Sequence, residues 1–102
     1  MDIINAISKA RFSSAKAQCV QLSRDGQLTS QLVCMEPGQT LTVEKGQWSY
    51  YVVTGEVEVS AGGESTRLPT SQLATTAPDE THKLSTPGER RAVVLAIGTT
   101  DG

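Results

Sequence analysis

Turn-forming residues recur at short intervals along most of this chain, and their spacing limits the folds that the sequence can adopt. They separate short segments that are rich in valine, leucine, threonine and tyrosine. The turns are predicted at Asp25-Gly26, Pro37-Gly38, Gly46, Gly55, Gly62-Gly63, Pro78 and Pro87-Gly88. Turn signals about 8–12 residues apart are typical of an all-β sandwich or barrel, rather than of a fold that alternates strands with helices.

Between the turns, apolar and polar residues alternate, as they do in a strand with one buried face. Leu41 and Val43 alternate with threonines and Glu44, and Val57 and Val59 alternate with glutamates. We therefore predict about eight or nine strands. Besides a first strand around Cys19 and Leu22, they cover 30–36, 41–43, 48–54, 57–59, 66–68, 72–75, 81–84 and 91–97.

The N-terminal segment has a different pattern. Its isoleucines and alanines recur at helical spacing, which predicts a short helix or arm over residues 1–11. The next segment, 12–98, is predicted to form the barrel, and 99–102 a loose tail. A chain of 102 residues has room for one such domain, so 1–102 is interpreted as a single domain.

Composition and charge narrow the functional classes. Nine lysines and arginines against eleven acidic residues give a net charge of -2. The sequence has no cluster of basic residues of the kind that binds nucleic acid. No apolar run approaches the roughly 18 residues of a membrane-spanning helix, and the N-terminus lacks the pattern of a secretory signal. We therefore expect a cytoplasmic protein that binds neither nucleic acid nor a membrane, with Cys19 and Cys34 as free thiols.

Two segments resemble the two conserved motifs of the cupin superfamily. The first motif is matched by Pro37-Gly38 and, after a short strand, by the hairpin at 51–59. The second is matched by the proline turn that leads into His82. The resemblance covers about residues 30–97. It implies an all-β fold, a single small cupin-type jelly-roll barrel, to which the N-terminal helix or arm is attached.

The same resemblance implies where a metal would be bound. Cupins usually hold a divalent iron, manganese, nickel or zinc ion with a His-x-His pair and a glutamate of the first motif and with a histidine of the second. His82 is the only histidine in this chain, and it matches the second-motif ligand. The first motif therefore departs from the metal-binding pattern.

Two alignments of the first motif are open. Counting back from its final glycine places the His-x-His pair at Thr42 and Glu44, and the glutamate at Trp48. Counting forward from its first glycine places the pair at Glu44 and Gly46. At most Glu44 and His82 are then metal ligands, fewer than the three or four that a transition metal needs. We expect no tightly bound metal; the alternative is a divalent transition metal held by Glu44 and His82.

The candidate ligand-binding residues are Glu44, Trp48, Tyr50 and His82. Trp48 and Tyr50 share one face of their strand, because side chains alternate along a strand. We expect Glu44 and His82 to form a polar pair inside the barrel, and the aromatic rings to form a wall for a small polar or planar ligand. The alternative is that Trp48 fills the space that metal and substrate occupy in relatives.

Three functions are compatible with this pattern. The first is a barrel that binds or senses a small molecule without a tightly bound metal. The second is a metal-dependent cupin enzyme of the dioxygenase or isomerase type with an atypical metal site, which the missing histidines disfavour; no catalytic residue is assigned. The third is a structural or regulatory homodimer with a filled barrel. We also expect a homodimer because cupins commonly dimerise through N-terminal strands, which residues 1–36 would supply here.

Overall fold

We describe the chain from a computed structural model that covers residues 1, 3–44, 46–78 and 80–99. Nine strands account for most of these residues. They are β1 (Gln18–Asp25), β2 (Leu28–Met35), β3 (Thr40–Val43), β4 (Gln47–Thr54), β5 (Glu56–Ala61), β6 (Glu64–Pro69), β7 (Leu73–Thr75), β8 (His82–Ser85) and β9 (Ala92–Thr99). Lys45 and Asp79, which belong to two predicted turns, and most of the predicted tail lie outside the described residues.

The strands form two antiparallel sheets. One sheet has five strands in the order β1-β2-β9-β4-β7, and the other has four in the order β3-β8-β5-β6. Hairpins join β1 to β2 and β5 to β6, whereas β9 lies between β2 and β4. This arrangement is a small jelly roll, and it confirms the all-β fold that the turn spacing predicts.

The core lies between the inner faces of the two sheets. Because successive side chains point to opposite faces, every second residue of β2, β4 and β9 contributes to it. Its fully buried aliphatic members are Val33, Met35, Val52, Val57, Leu84 and Val94. Burying each such side chain contributes about 1.5–3 kcal/mol, and this set fixes which face of each strand points inward.

Two glycines permit close packing at opposite ends of the barrel. Gly55 joins β4 to β5 with a φ of 81°, a conformation that side chains rarely adopt, and a Cβ there would collide with the carbonyl oxygen of Arg91. Gly98 lies beneath the ring of Trp48, and a Cβ would overlap that ring. Gly55 therefore permits the chain to cross from β4 in one sheet to β5 in the other, so the hairpin predicted at 51–59 is not formed. Gly98 makes room for the indole.

The N-terminal segment is an arm with one short turn of 3₁₀ helix, Ala6–Lys9, which is much shorter than the predicted span of 1–11. The arm is fastened by Phe12, whose ring lies 4.5 Å from the guanidinium carbon of Arg91, and by Gln39 Nε2, which donates to the carbonyl of Ser13 at 2.6 Å. Among the described residues, no helix is long and apolar enough to cross a membrane.

Candidate functional site

The register between β3 and β8 decides which residues of the first motif face the barrel interior. Val43 lies opposite His82, and directly opposite residues share a face of the sheet. Leu41 and Val43 are half-buried on this inner face, whereas Thr42 and Glu44 are exposed. Neither alignment of the His-x-His pair therefore places a side chain on the inner face of β3, where two aliphatic residues lie.

His82 is buried in the barrel, with 1% of its surface exposed, and both of its ring nitrogens are hydrogen-bonded. Nδ1 lies 3.0 Å from the carbonyl oxygen of Glu80, and Nε2 lies 2.5 Å from the hydroxyl of Tyr50. A carbonyl oxygen can only accept, so Nδ1 carries the proton and Nε2 accepts from the phenol. The bond to Glu80 thus selects the tautomer with the proton on Nδ1, in which Nε2 is the acceptor for the phenol.

Tyr50 supplies the second half of this pair from the opposite sheet. Its ring is 1% exposed and meets the imidazole of His82 edge-on, with ring centroids 5.3 Å apart. Burial raises the pKa of the Tyr50 phenol far above its ordinary value, and a thiolate at Cys19 would raise it further. The phenol therefore remains a hydrogen-bond donor.

Trp48 closes the same end of the interior. Its ring is stacked on Tyr50 with centroids 6.2 Å apart, and its backbone N–H donates to the hydroxyl of Thr76 at 3.2 Å. Among the described residues, the buried indole N–H has no acceptor. A buried donor without a hydrogen-bond partner lowers stability by about 1–3 kcal/mol. The ring thus fills this end of the barrel interior beside Tyr50.

Glu44 does not join this group. Its side chain is exposed, and its contact with the second motif is through the backbone, where its carbonyl accepts from the hydroxyl of Thr81 at 3.4 Å. Since Tyr50 and Glu80 occupy both nitrogens of His82, the expected Glu44–His82 pair is not formed. Of the four predicted site residues, the structure brings together Trp48, Tyr50 and His82.

The two cysteines lie on opposite faces of the β1–β2 hairpin. Cys19 is opposite Val33, and Cys34 is opposite Gln18. Both thiols are free, and Cys34 is buried whereas Cys19 is exposed. Protein atoms around the thiol of Cys19 raise its pKa above the ordinary value, and Cys34 adds to the shift. Cys19 is therefore a protonated thiol at neutral pH.

An open cleft of about 430 Å³ lies between β6 and β7, where the two sheets separate; we call it the side cleft. Its lining includes Ala61 and Ala74. Ala61 lies directly opposite His82 and Ala74 directly opposite Tyr50. On the side of each sheet that borders the cleft, only the methyl group of an alanine lies directly beside His82 and Tyr50. The side cleft thus adjoins the Tyr50–His82 pair along both sheets.

The sequence analysis did not identify the polar residues of the side cleft. They are Glu64, Thr66, Gln72, Thr75, Thr76 and Glu80. They come from three separate segments, which the order β8-β5-β6 and the pairing of β7 with β4 bring together. The one available signal was parity, because Glu64 and Thr66 share the face of β6 that carries the buried Leu68.

A second cavity, of about 550 Å³, is larger but lies elsewhere. It is a groove over turn residues around Gly55, Thr70 and Arg90. None of the three grouped aromatic and imidazole side chains lines either cavity. The side cleft alone is lined by residues that pair directly with His82 and Tyr50, namely Ala61 and Ala74, so it is the better candidate.

Solved structures with the same architecture decide the fold family. A protein from Thermus thermophilus superposes with a TM-score of 0.90 over 97% of both chains, at 22% identity. A cupin superfamily protein from Desulfitobacterium hafniense gives a TM-score of 0.83 at 16% identity, covering 96% of this chain and 90% of that chain. The chain has the cupin fold. A Klebsiella pneumoniae protein with a double-stranded β-helix domain gives a TM-score of 0.87 at 19% identity, covering 97% and 90%.

The cupin resemblance inferred from the two motifs is therefore confirmed for the fold. At these identities the likeness extends to the architecture and not to an activity. No protein-family model matches the chain, and no curated protein is significantly similar to it.

The residues at the metal positions of this cupin barrel do not fit a transition metal. The inward positions of β3 are the aliphatic Leu41 and Val43, and Trp48, where one alignment of the motif puts the glutamate, offers no oxygen ligand. His82 already uses both ring nitrogens. Among the described residues, no group of three or more His, Cys, Asp or Glu side chains is placed to hold an ion, whereas such sites need three or four ligands.

Proposed function

We propose that this cupin barrel binds a small organic molecule in the side cleft, and that it does so without a tightly bound metal. The observation that carries the proposal is the position of the cleft, which adjoins the buried Tyr50–His82 pair through Ala61 and Ala74. Its volume of about 430 Å³ lies within the range of about 300–1,000 Å³ that is usual for small-ligand sites.

The Tyr50–His82 hydrogen bond supports this proposal because it joins the two sheets. Tyr50 belongs to the five-stranded sheet and His82 to the four-stranded sheet. The bond therefore holds the sheets at a fixed separation next to the point where they part to form the side cleft. A cleft of fixed width has less conformational entropy to lose when a ligand binds.

Benzyl alcohol is a suitable probe of this proposal, since its ring matches the apolar part of the lining and its hydroxyl matches the threonines. We expect saturable binding by isothermal titration calorimetry. Ala61→Leu fills the cleft and should weaken binding at least about tenfold. Ala15→Leu is the matched control, because Ala15 is exposed in the N-terminal arm. Equal affinities of wild type and Ala61→Leu, or no saturable binding to wild type, would contradict the proposal.

The metal-dependent alternative is tested by the metal content of the protein. The chain should be purified without a chelating column or a histidine tag, and its metals counted by mass spectrometry. We expect far less than one ion of iron, manganese, nickel or zinc per chain, because the ligand set is incomplete. A near-stoichiometric ion would overturn the metal-free proposal and support the enzyme.

The outer face of the five-stranded sheet supports the proposed homodimer. Tyr51, Leu73 and Ile97 are exposed there, and Tyr51 lies opposite both Leu73 and Leu95. Contiguous exposed apolar residues commonly mark an interface. We expect the mass of two chains by size-exclusion chromatography with light scattering. The mass of a single chain would contradict the dimer and leave ligand binding by the barrel intact.

A further inference from the structure

The side cleft has a charge of one sign. Its lining includes two carboxylates, those of Glu64 and Glu80, and among the described residues that line it there is no lysine, arginine or histidine. Glu64 lies on the same row of the four-stranded sheet as His82, with Ala61 between them. Glu80 accepts through Oε1 from the backbone N–H of Ala77 at 3.4 Å, and its second carboxylate oxygen can accept from a ligand.

The nearest arginine on the same strand points away from the cleft. Arg67 alternates with Thr66 and Leu68 on β6, so it lies on the outer face of the sheet. There its guanidinium is 3.0 Å from a carboxylate oxygen of Glu56 and 4.0 Å from one of Glu58. The charge of Arg67 therefore lies on the outer face, where Arg67 pairs with Glu56 and Glu58. It does not neutralise the carboxylates that line the cleft.

The rest of the lining suits an apolar body. Ala61, Leu68 and Ala74 supply methyl groups, and Leu68 is 4% exposed. The hydroxyls of Thr66 and Thr76 line the same space and can accept hydrogen bonds from an ammonium group. A cleft whose lining combines apolar side chains with two carboxylates is complementary to a cation that carries a hydrocarbon group.

The geometry points to a primary amine as the ligand class, a protonated ammonium group on a small apolar or aromatic body. This inference rests on the proposed function of the same cleft. The ammonium group lies between Glu64 and Glu80, and the apolar body lies over the alanines. Neutral and anionic analogues of the same size bind less tightly, because they lack the attraction to the two carboxylates or are repelled by them.

A matched series of three probes tests this inference: benzylamine, benzyl alcohol and benzoate. Each is titrated into the full chain at pH 7, with the methyl signals of Ala61 and Ala74 followed by NMR. We expect benzylamine to bind about tenfold more tightly than benzyl alcohol, the order of magnitude for one partly screened ion pair, and benzoate to bind least. Added sodium chloride should weaken the binding of benzylamine alone.

Three variants assign the effect to the carboxylates. Glu64→Gln and Glu80→Gln keep the size of the side chain and an acceptor oxygen, so the fold and the Ala77 contact persist. Each should lower the affinity for benzylamine severalfold and leave that for benzyl alcohol unchanged. Glu58→Gln, on the outer face of the same sheet, is the control and should change neither affinity.

The outcomes separate the two proposals. Equal binding of the three probes at Ala61 and Ala74 would overturn the amine class and leave the binding cleft standing, as would tighter binding of benzoate. Retention of the benzylamine preference in both glutamine variants would also overturn the role of the carboxylates. If none of the probes shifts the two methyl signals, the cleft is not a binding site, and the proposed function fails together with the inference.

Discussion

The two ends of the barrel interior differ in chemistry although they belong to one core. One end is aliphatic, with Val33, Met35 and Val52 fully buried. The other holds Trp48, Tyr50 and His82, which carry polar atoms into an equally buried space. The aliphatic end contributes burial and packing alone, whereas the polar end must also satisfy hydrogen bonds. Tyr50 and His82 meet this requirement by bonding to each other, whereas the indole N–H of Trp48 has no acceptor among the described residues.

This comparison predicts separate consequences for stability and for binding. A change in the aliphatic end should lower the free energy of unfolding and leave the side cleft as it is. A change in the polar end should also alter the cleft. The following predictions are ordered by the size of the expected effect.

The largest loss of stability is expected at the aliphatic end. Met35 is fully buried on β2, away from the side cleft between β6 and β7, and Met35→Ala leaves a cavity that costs about 2–5 kcal/mol. Urea denaturation should show this loss, while the affinity for benzyl alcohol stays at its wild-type value. A loss of affinity that matches the loss of stability would end the distinction between the two regions.

Tyr50→Phe is the corresponding change at the polar end. It removes one hydroxyl and leaves Nε2 of His82 without its donor, which costs about 1–3 kcal/mol. Tyr51→Phe is the neighbouring control, since Tyr51 is 39% exposed on the outer face and should change stability by less than about 0.5 kcal/mol. Equal effects of the two substitutions in urea denaturation would contradict the account of the pair.

The raised pKa of Tyr50 predicts a loss of stability at alkaline pH. The folded state holds the phenolic proton more tightly than the unfolded chain, whose tyrosines titrate near about 10. The contribution of the protonated Tyr50 phenol to the free energy of unfolding is therefore intact below that pH, and it decreases as the pH rises above it. At pH 11 wild type should lose roughly 1 kcal/mol more than Tyr50→Phe does. Thermal unfolding of wild type and Tyr50→Phe at pH 8 and pH 11 measures this difference. Equal losses of stability in the two proteins would contradict the prediction.

The smallest effect is expected at Glu44, which the sequence placed in the site. Its side chain is exposed, and its contact with Thr81 uses the backbone carbonyl. Glu44→Gln should change the unfolding free energy by less than about 0.5 kcal/mol and leave the affinities for benzyl alcohol and benzylamine unchanged. A marked loss of either affinity, measured by calorimetry, would restore Glu44 to the site.

Most of the fold could be predicted because turns and alternation are local signals. The predicted strands at 30–36, 48–54 and 91–97 correspond to β2, β4 and β9. The N-terminal arm follows a different rule. Its isoleucines have helical spacing, but they are exposed and no side chain caps the turn, so a short helix there lacks the packing that would stabilise it.

The grouping of Trp48, Tyr50 and His82 was predicted from the sequence, whereas the expected inward position of Glu44 was not found, and the difference is one of register. Counting along the motif placed Thr42 and Glu44 inside, whereas a shift of one residue exchanges the two faces of a strand. The alternation of Leu41 and Val43 already indicated the inward face, and it is a stronger constraint than motif length. Glu64 and Glu80 both line the side cleft because of the order of the strands, and no local pattern of this sequence encodes that order.

The most direct test of the central claim is to locate a bound probe in the unmodified protein. Nuclear Overhauser contacts between the ring protons of benzyl alcohol and the protein's methyl groups would identify the site. The account predicts contacts to Ala61 and Ala74, on either side of the Tyr50–His82 pair. Contacts confined to the groove around Gly55 and Arg90, or to the outer face of the five-stranded sheet, would contradict it.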